Sequence, residues 1–84
     1  MDIELPPRLA ALAGANSIEA EGRNLYEVLV AIEARYPALK GELLVNGRLR
    51  SGLAVALDNV VSKIGLYEPL NARQLRFVPA IGGG

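Results

Sequence analysis

The chain has 84 residues, 51% hydrophobic but only 5% aromatic, which points to one domain with an aliphatic core. It contains no cysteine and no histidine. That excludes a disulfide framework, a thiolate metal site and a cysteine nucleophile, and it removes the most common general base and metal ligand. Nine basic and nine acidic residues give a formal net charge of zero, which argues against nucleic acid as a partner, since phosphate binding needs clustered positive charge.

The charges are uneven along the chain. Residues 1–34 hold six acids and two bases, a net of −4, and residues 35–84 hold three acids and seven bases, a net of +4. One reading is a solvated surface with ion pairs between the halves. The other is a basic face near the C-terminus that meets an acidic partner. No apolar run approaches the ~20 residues of a membrane span. The start Met-Asp-Ile-Glu lacks the positive start and apolar stretch of a signal peptide. The expectation is a cytoplasmic protein with no membrane partner.

In chain order, Ile3 and Leu5 alternate with Asp2 and Glu4, a short strand with one buried face. Pro6-Pro7 ends it. Arg8 to Ala13 suits a single helical turn, and Gly14-Ala15-Asn16 a loop turn. Ser17 to Glu21 is a second strand, with Ile18 and Ala20 on one face. Asn24 then offers an N-cap, and Glu27 three residues later completes a capping box. Leu25, Val28, Leu29, Ile32 and Tyr36 follow at helical spacing, and Pro37 stops the helix near Tyr36. A helix of that length is marginal alone, so its stripe must pack on a sheet.

Beyond it, Leu43, Leu44 and Val45 lead into Asn46-Gly47, a strong turn signal. In the strand Gly52 to Leu57, Leu53, Val55 and Leu57 face the core, and the small Ala54 and Ala56 form a flat outer face. Asp58-Asn59 is a turn candidate. Val60, Val61 and Ile64 suggest a further short strand, and Tyr67 to Asn71 a loop. Gln74 to Ala80 is the last strand, with Leu75 and Phe77 inward, Arg76 and Val78 outward, and Pro79 at its end. Alternation therefore sets Val78 and Arg76 on the face opposite the helix, together with Ala54 and Ala56 or their neighbours. An open face with small residues and one aliphatic group suits a flat partner surface. The expected domain is residues 1–80, with residues 81–84 as a flexible glycine tail.

Glycine lacks a Cβ, so the Gly82-Gly83-Gly84 tail passes through a narrow channel. Four residues from Ile81 reach roughly 13 Å beyond the last strand. With no side-chain constellation for nucleophilic or metal catalysis, the chain is expected not to be an enzyme. Its most conspicuous reactive group is the carboxylate of Gly84. The bland alternative is a frayed end.

Several segments together resemble the small β-grasp sulfur carriers, the MoaD/ThiS-type ubiquitin-like proteins and the related cysteine-biosynthesis carriers. They are Leu5-Pro6-Pro7-Arg8-Leu9 through Gly14, the helix Leu25 to Leu29 with its exit Arg35-Tyr36-Pro37-Ala38-Leu39, the strand and turn Leu53 to Asn59, and the end Leu75 to Gly84. The resemblance implies an α+β fold, a β-grasp with a mixed four- to five-stranded sheet and one main helix on one face. It implies that an ATP-dependent activating enzyme (an adenylyltransferase) adenylates Gly84, that a sulfur donor converts it to a thiocarboxylate, and that a sulfur-accepting synthase takes the sulfur. Ile81, Gly82 and Gly83 would then thread the tail, and Val78, Arg76, Ala54 and Ala56 would meet the partner. No cofactor or metal would be bound, ATP being used by the partner. Two other readings stand beside it: a ubiquitin-like modifier conjugated through Gly84, and a non-enzymatic β-grasp interaction module.

Overall fold

The strand nearest the chain's C-terminus lies at the centre of its main sheet. The computed structural model describes residues 1–80, so the expected tail, Ile81 to Gly84, lies outside the described residues. The strands are β1 (Asp2–Glu4), β2 (Ser17–Glu19), β3 (Leu44–Val45), β4 (Arg48–Leu49), β5 (Leu53–Leu57), β6 (Val60–Ser62) and β7 (Gln74–Pro79). The helices are α1 (Pro7–Ala13) and α2 (Leu25–Arg35), with a 3-10 turn at Pro37–Leu39. The main sheet has the order β2-β1-β7-β5-β6, and β3 with β4 forms a separate two-stranded ribbon. β1 and β7 run parallel, with Ile3 opposite Leu75. The other pairs in the main sheet are antiparallel, so the sheet is mixed, as expected of a β-grasp.

Local chemistry accounts for the elements. The Asn24 side chain accepts from the Glu27 backbone N–H at 2.8 Å, satisfying one of the orphan donors of α2. Glu27 reaches back one residue further than a capping box predicts, and accepts from the Arg23 N–H at 2.9 Å. Beside it Asn24 forms an isolated antiparallel bridge with Pro69, and the Leu70 N–H donates to the Arg23 carbonyl at 2.9 Å. Helix α2 ends at Arg35, before Pro37. The two prolines after β1 do more than stop a strand: Pro7 sits in the first turn of the seven-residue helix α1, where its fixed φ and missing N–H cost nothing. Thus Arg8 to Ala13 is longer than the single turn expected. Asn46 and Gly47 have φ of 53° and 74°, the backbone of a tight hairpin turn between β3 and β4.

The core lies between α2 and the sheet. Ile3, Val28, Leu29 and Leu75 are fully buried, with Ile32 and Phe77 nearly so. No polar or charged residue is buried among the described residues, so solvent exclusion by aliphatic groups supplies the main stabilisation. Among the described residues no helix is long and apolar enough to cross a membrane.

Gly22 matters through contact. A Cβ there would stand 2.7 Å from the backbone nitrogen of Val28 and 2.8 Å from Cβ of Glu27, so the strand-to-helix loop lies directly against the first turn of α2. Gly22→Ala is expected to lower stability by roughly 1–3 kcal/mol, the usual cost of overpacking; equal urea midpoints for mutant and wild type would contradict this close approach. Leu29→Ala is expected to cost about 2–5 kcal/mol through lost burial and a cavity, a large part of a total of about 5–10 kcal/mol. Equilibrium denaturation measures it, and a loss under about 1 kcal/mol would contradict the helix-on-sheet packing.

Candidate functional site

The face of the sheet turned away from α2 is built by strand alternation. The inward set Leu75 and Phe77 leaves Gln74, Arg76 and Val78 pointing outward from β7. In the β5–β7 register Ala54 stands opposite Val78 and Ala56 opposite Arg76. The four residues expected to meet a partner therefore form one patch. Their exposure is unequal. Arg76 is exposed and Val78 and Ala54 are half-buried, but Ala56 is only 5% exposed. Ala56 does not contribute open surface as expected, because its small side chain sits between Arg76 and Val61 in the registers of β5 with its two neighbours.

Val61 is the residue the sequence reading missed on this face. It pairs with Ala56 and is 60% exposed. Once Asp58-Asn59 is accepted as a two-residue hairpin turn, the register that places Val61 there follows. Asp58 and Asn59 have φ of 48° and 69°. Asp58 also ties this hairpin to the start of β7: its Oδ1 accepts from the N–H groups of Arg73 and Gln74 at 3.1 and 3.0 Å.

Electrostatically the face is graded. Asp2 and Glu4 on β1 stand opposite Gln74 and Arg76, and Glu19 on β2 stands opposite Asp2. Arg76 Nε donates to Glu4 Oε2 at 2.8 Å, an ion pair between residues far apart in the sequence. The uneven charge along the chain is thus spent partly on pairs between the two halves, and the outer face carries Asp2, Glu4 and Glu19 toward β2, Arg76 at its centre and the apolar Val61 toward β6.

The site lies at the end of β7. The N–H of Ala80, the last described residue, donates to the Gly52 carbonyl at 2.9 Å. Ile81, Gly82, Gly83 and Gly84, expected to thread and react, lie outside the described residues, so the structure positions only the strand that leads to them. Beside this strand end a cleft of about 260 Å³ opens, with Leu9, Leu53, Phe77 and Val78 among its lining and Arg8, Glu42 and Arg50 also bordering it. Glu42 Oε1 is shared by Arg8 Nη1 and Arg50 Nη1, each at 2.5 Å. The hydrogen bond from Arg8 holds the Glu42 carboxyl below the usual carboxylate range; desolvation opposes this, and the charges of Arg8 and Arg50 reinforce it.

No family model matches the sequence, and no curated protein matches it. Solved structures do match along nearly the whole chain. CysO from the Amycolatopsis orientalis BexX/CysO complex is 25% identical, with a TM-score of 0.80 over 99% of this chain and 98% of the other. SAMP1, a small archaeal modifier protein of Haloferax volcanii, is 25% identical, with a TM-score of 0.73 over 100% and 98%. Mycobacterium tuberculosis CysO shares the fold at 21% identity, with a TM-score of 0.80 over 95% and 98%.

Because the Glu42 pKa is lowered on folding, its contribution to stability is complete above the ordinary glutamate pKa and is lost as pH falls through the lowered value. Glu42→Gln is therefore expected to be less stable than wild type at neutral pH. The gap should narrow as the solution is acidified, and also with added salt, since the groups are partly exposed. Urea midpoints across a pH series test this. A gap that stays constant into acid would mean that Glu42 acts by packing rather than by charge.

Proposed function

We propose that this chain, a ubiquitin-like β-grasp protein of the carrier and modifier kind, is a sulfur carrier that works through the carboxylate of Gly84. The observation that carries the reading is positional. The central strand β7, in a fold that matches CysO and small archaeal modifier proteins along nearly its whole length, is followed in the sequence by Ile81-Gly82-Gly83-Gly84.

The chemistry divides between the chain and its partners. A carboxylate oxygen is a poor leaving group, so the Gly84 carboxylate must first be activated. In a partner adenylyltransferase it attacks the α-phosphorus of ATP and releases pyrophosphate. A nucleophilic sulfur, such as hydrosulfide, then adds to the acyl carbon, and AMP leaves. The resulting thiocarboxylate is itself a nucleophile, so the chain needs no cysteine, and a sulfur-accepting synthase takes the sulfur. The chain itself contributes placement. Gly82 and Gly83 give a stem without side chains, Ile81 joins it to the strand, and Val78, Arg76 and Ala54, with Ala56 beneath them, offer the sheet face for docking. ATP belongs to the partner's site.

The likeness to a small archaeal modifier protein favours a second reading, conjugation through Gly84 to lysines of other proteins. Both routes share the adenylate and differ in product. Intact-protein mass spectrometry after incubation with a cognate activating enzyme, ATP and hydrosulfide separates them. A carrier is expected to gain the mass difference of one oxygen replaced by one sulfur at Gly84. Isopeptide-linked adducts without that species would favour the modifier, and neither product would favour a plain interaction module.

Docking through the sheet face has its own test. Val78→Asp is expected to weaken capture by the activating enzyme roughly tenfold or more, as for a charge placed in an apolar contact, while the circular dichroism spectrum stays that of the wild type. Undiminished capture by a folded mutant would rule this face out.

A further inference from the structure

The cleft beside the end of β7 combines two features that the activation chemistry does not use. Its floor is apolar, formed by Leu9, Leu53, Phe77 and Val78. Its rim carries two arginines against one carboxylate: Arg8 and Arg50 lean on the same oxygen of Glu42. Each guanidinium has five N–H donors, so one shared carboxylate oxygen leaves the rim with a surplus positive charge and with donors to spare. The arginines are accessible, their side chains being 65% and 41% exposed. The depressed Glu42 pKa agrees with a local excess of positive charge.

The walls are held in place by backbone bonds. Arg50 N–H donates to the Leu43 carbonyl at 2.8 Å, Leu53 N–H to the Arg50 carbonyl at 3.1 Å, and Ala10 N–H to the Pro6 carbonyl at 2.8 Å. The rim therefore does not depend on an occupant to form. At about 260 Å³ the cleft is smaller than the roughly 300–1,000 Å³ of small-molecule sites. Its floor also offers no buried polar side chain to orient a cofactor. Its size and chemistry suit one or two apolar side chains of a protein segment.

We propose that this cleft is a docking site for an acidic–apolar segment of a partner protein, one that sets a large aliphatic side chain on the Leu9–Leu53–Phe77–Val78 floor and places an adjacent carboxylate on Arg8 and Arg50. A carboxylate accepts bidentate bonds from a guanidinium, a geometry that a neutral amide does not reproduce. Val78 borders both this cleft and the outer sheet face, so a partner on the face extends into the cleft without a gap. The inference does not depend on what happens at Gly84.

The test is a titration of the 15N-labelled full chain with a capped peptide Ser-Leu-Leu-Glu-Glu-Ser, read by amide chemical shifts. Saturable shifts are expected at Leu9, Arg50, Leu53 and Phe77. Replacing both glutamates of the peptide by glutamine is expected to weaken binding roughly tenfold, the value of a charge-assisted pair. Arg50→Gln should do the same. Arg8→Gln probes the rim from the exposed start of α1, should Arg50→Gln disturb the ribbon. A peptide with serine in place of both leucines should not bind. The proposal is overturned if no saturable shift appears, if inorganic phosphate alone moves the same amides to the same extent, or if the shifts fall on Ala54, Ala56 and Val61 instead of the rim.

Discussion

The parallel pairing of β1 with β7 is the constraint on which the rest of the molecule depends. It sets the first strand of the chain beside the last described one and so makes β7 an interior strand with β5 on its other side. An interior strand has its backbone groups satisfied on both sides, and its inward residues, Leu75 and Phe77, reach the centre of the core. Parallel neighbours cannot be joined by a tight turn, so everything between β1 and β7, including α2, forms the connection. The helix closes the core because the sheet needs a cover on the face that Ile3, Val55, Leu75 and Phe77 present.

This arrangement separates holding from reaching. Ladder bonds, the Asp58 carboxylate at its start and the Ala80–Gly52 bond at its end fix β7 along its length. A chain leaving such a strand starts from a defined point, beside the outer face and the arginine-rimmed cleft. A partner that grips the body at Val78 would thus also know where the chain end begins, and orientation of this kind lowers the cost of bringing a reacting group into place.

Much of this was legible in the sequence where the signal is local. Asn24, the stripe Leu25 to Ile32 and Pro37 bound α2 to within a residue or two, because capping and periodicity act within a few positions. Alternation in β7 correctly sorted Leu75 and Phe77 from Arg76 and Val78. What escaped depends on contacts between distant positions. Nothing near Glu42 announces that it bridges Arg8 and Arg50, nor does the neighbourhood of Asp58 reveal that it caps the entry to β7. The burial of Ala56 needed the register of three strands, and the demand for glycine at position 22 needed the position of α2. Charge counting suggested either a basic face or pairing between the halves. Arg76 with Glu4 shows pairing that absorbs part of the asymmetry, whereas Arg8 with Glu42 joins a base of the acidic half to an acid of the basic half and does not.

On the proposed function the body supplies stability and placement and the Gly84 carboxylate supplies the chemistry, so the two should come apart when a single residue is removed. Removing Gly84 shortens the extended chain by about 3.5 Å. The direct measurement is ATP–pyrophosphate exchange catalysed by the activating enzyme with this shortened chain, after its thermal midpoint has been matched to that of the full chain. The expected result is loss of exchange at unchanged stability. Exchange at the rate given by the full chain would contradict the assignment of Gly84 as the activated residue.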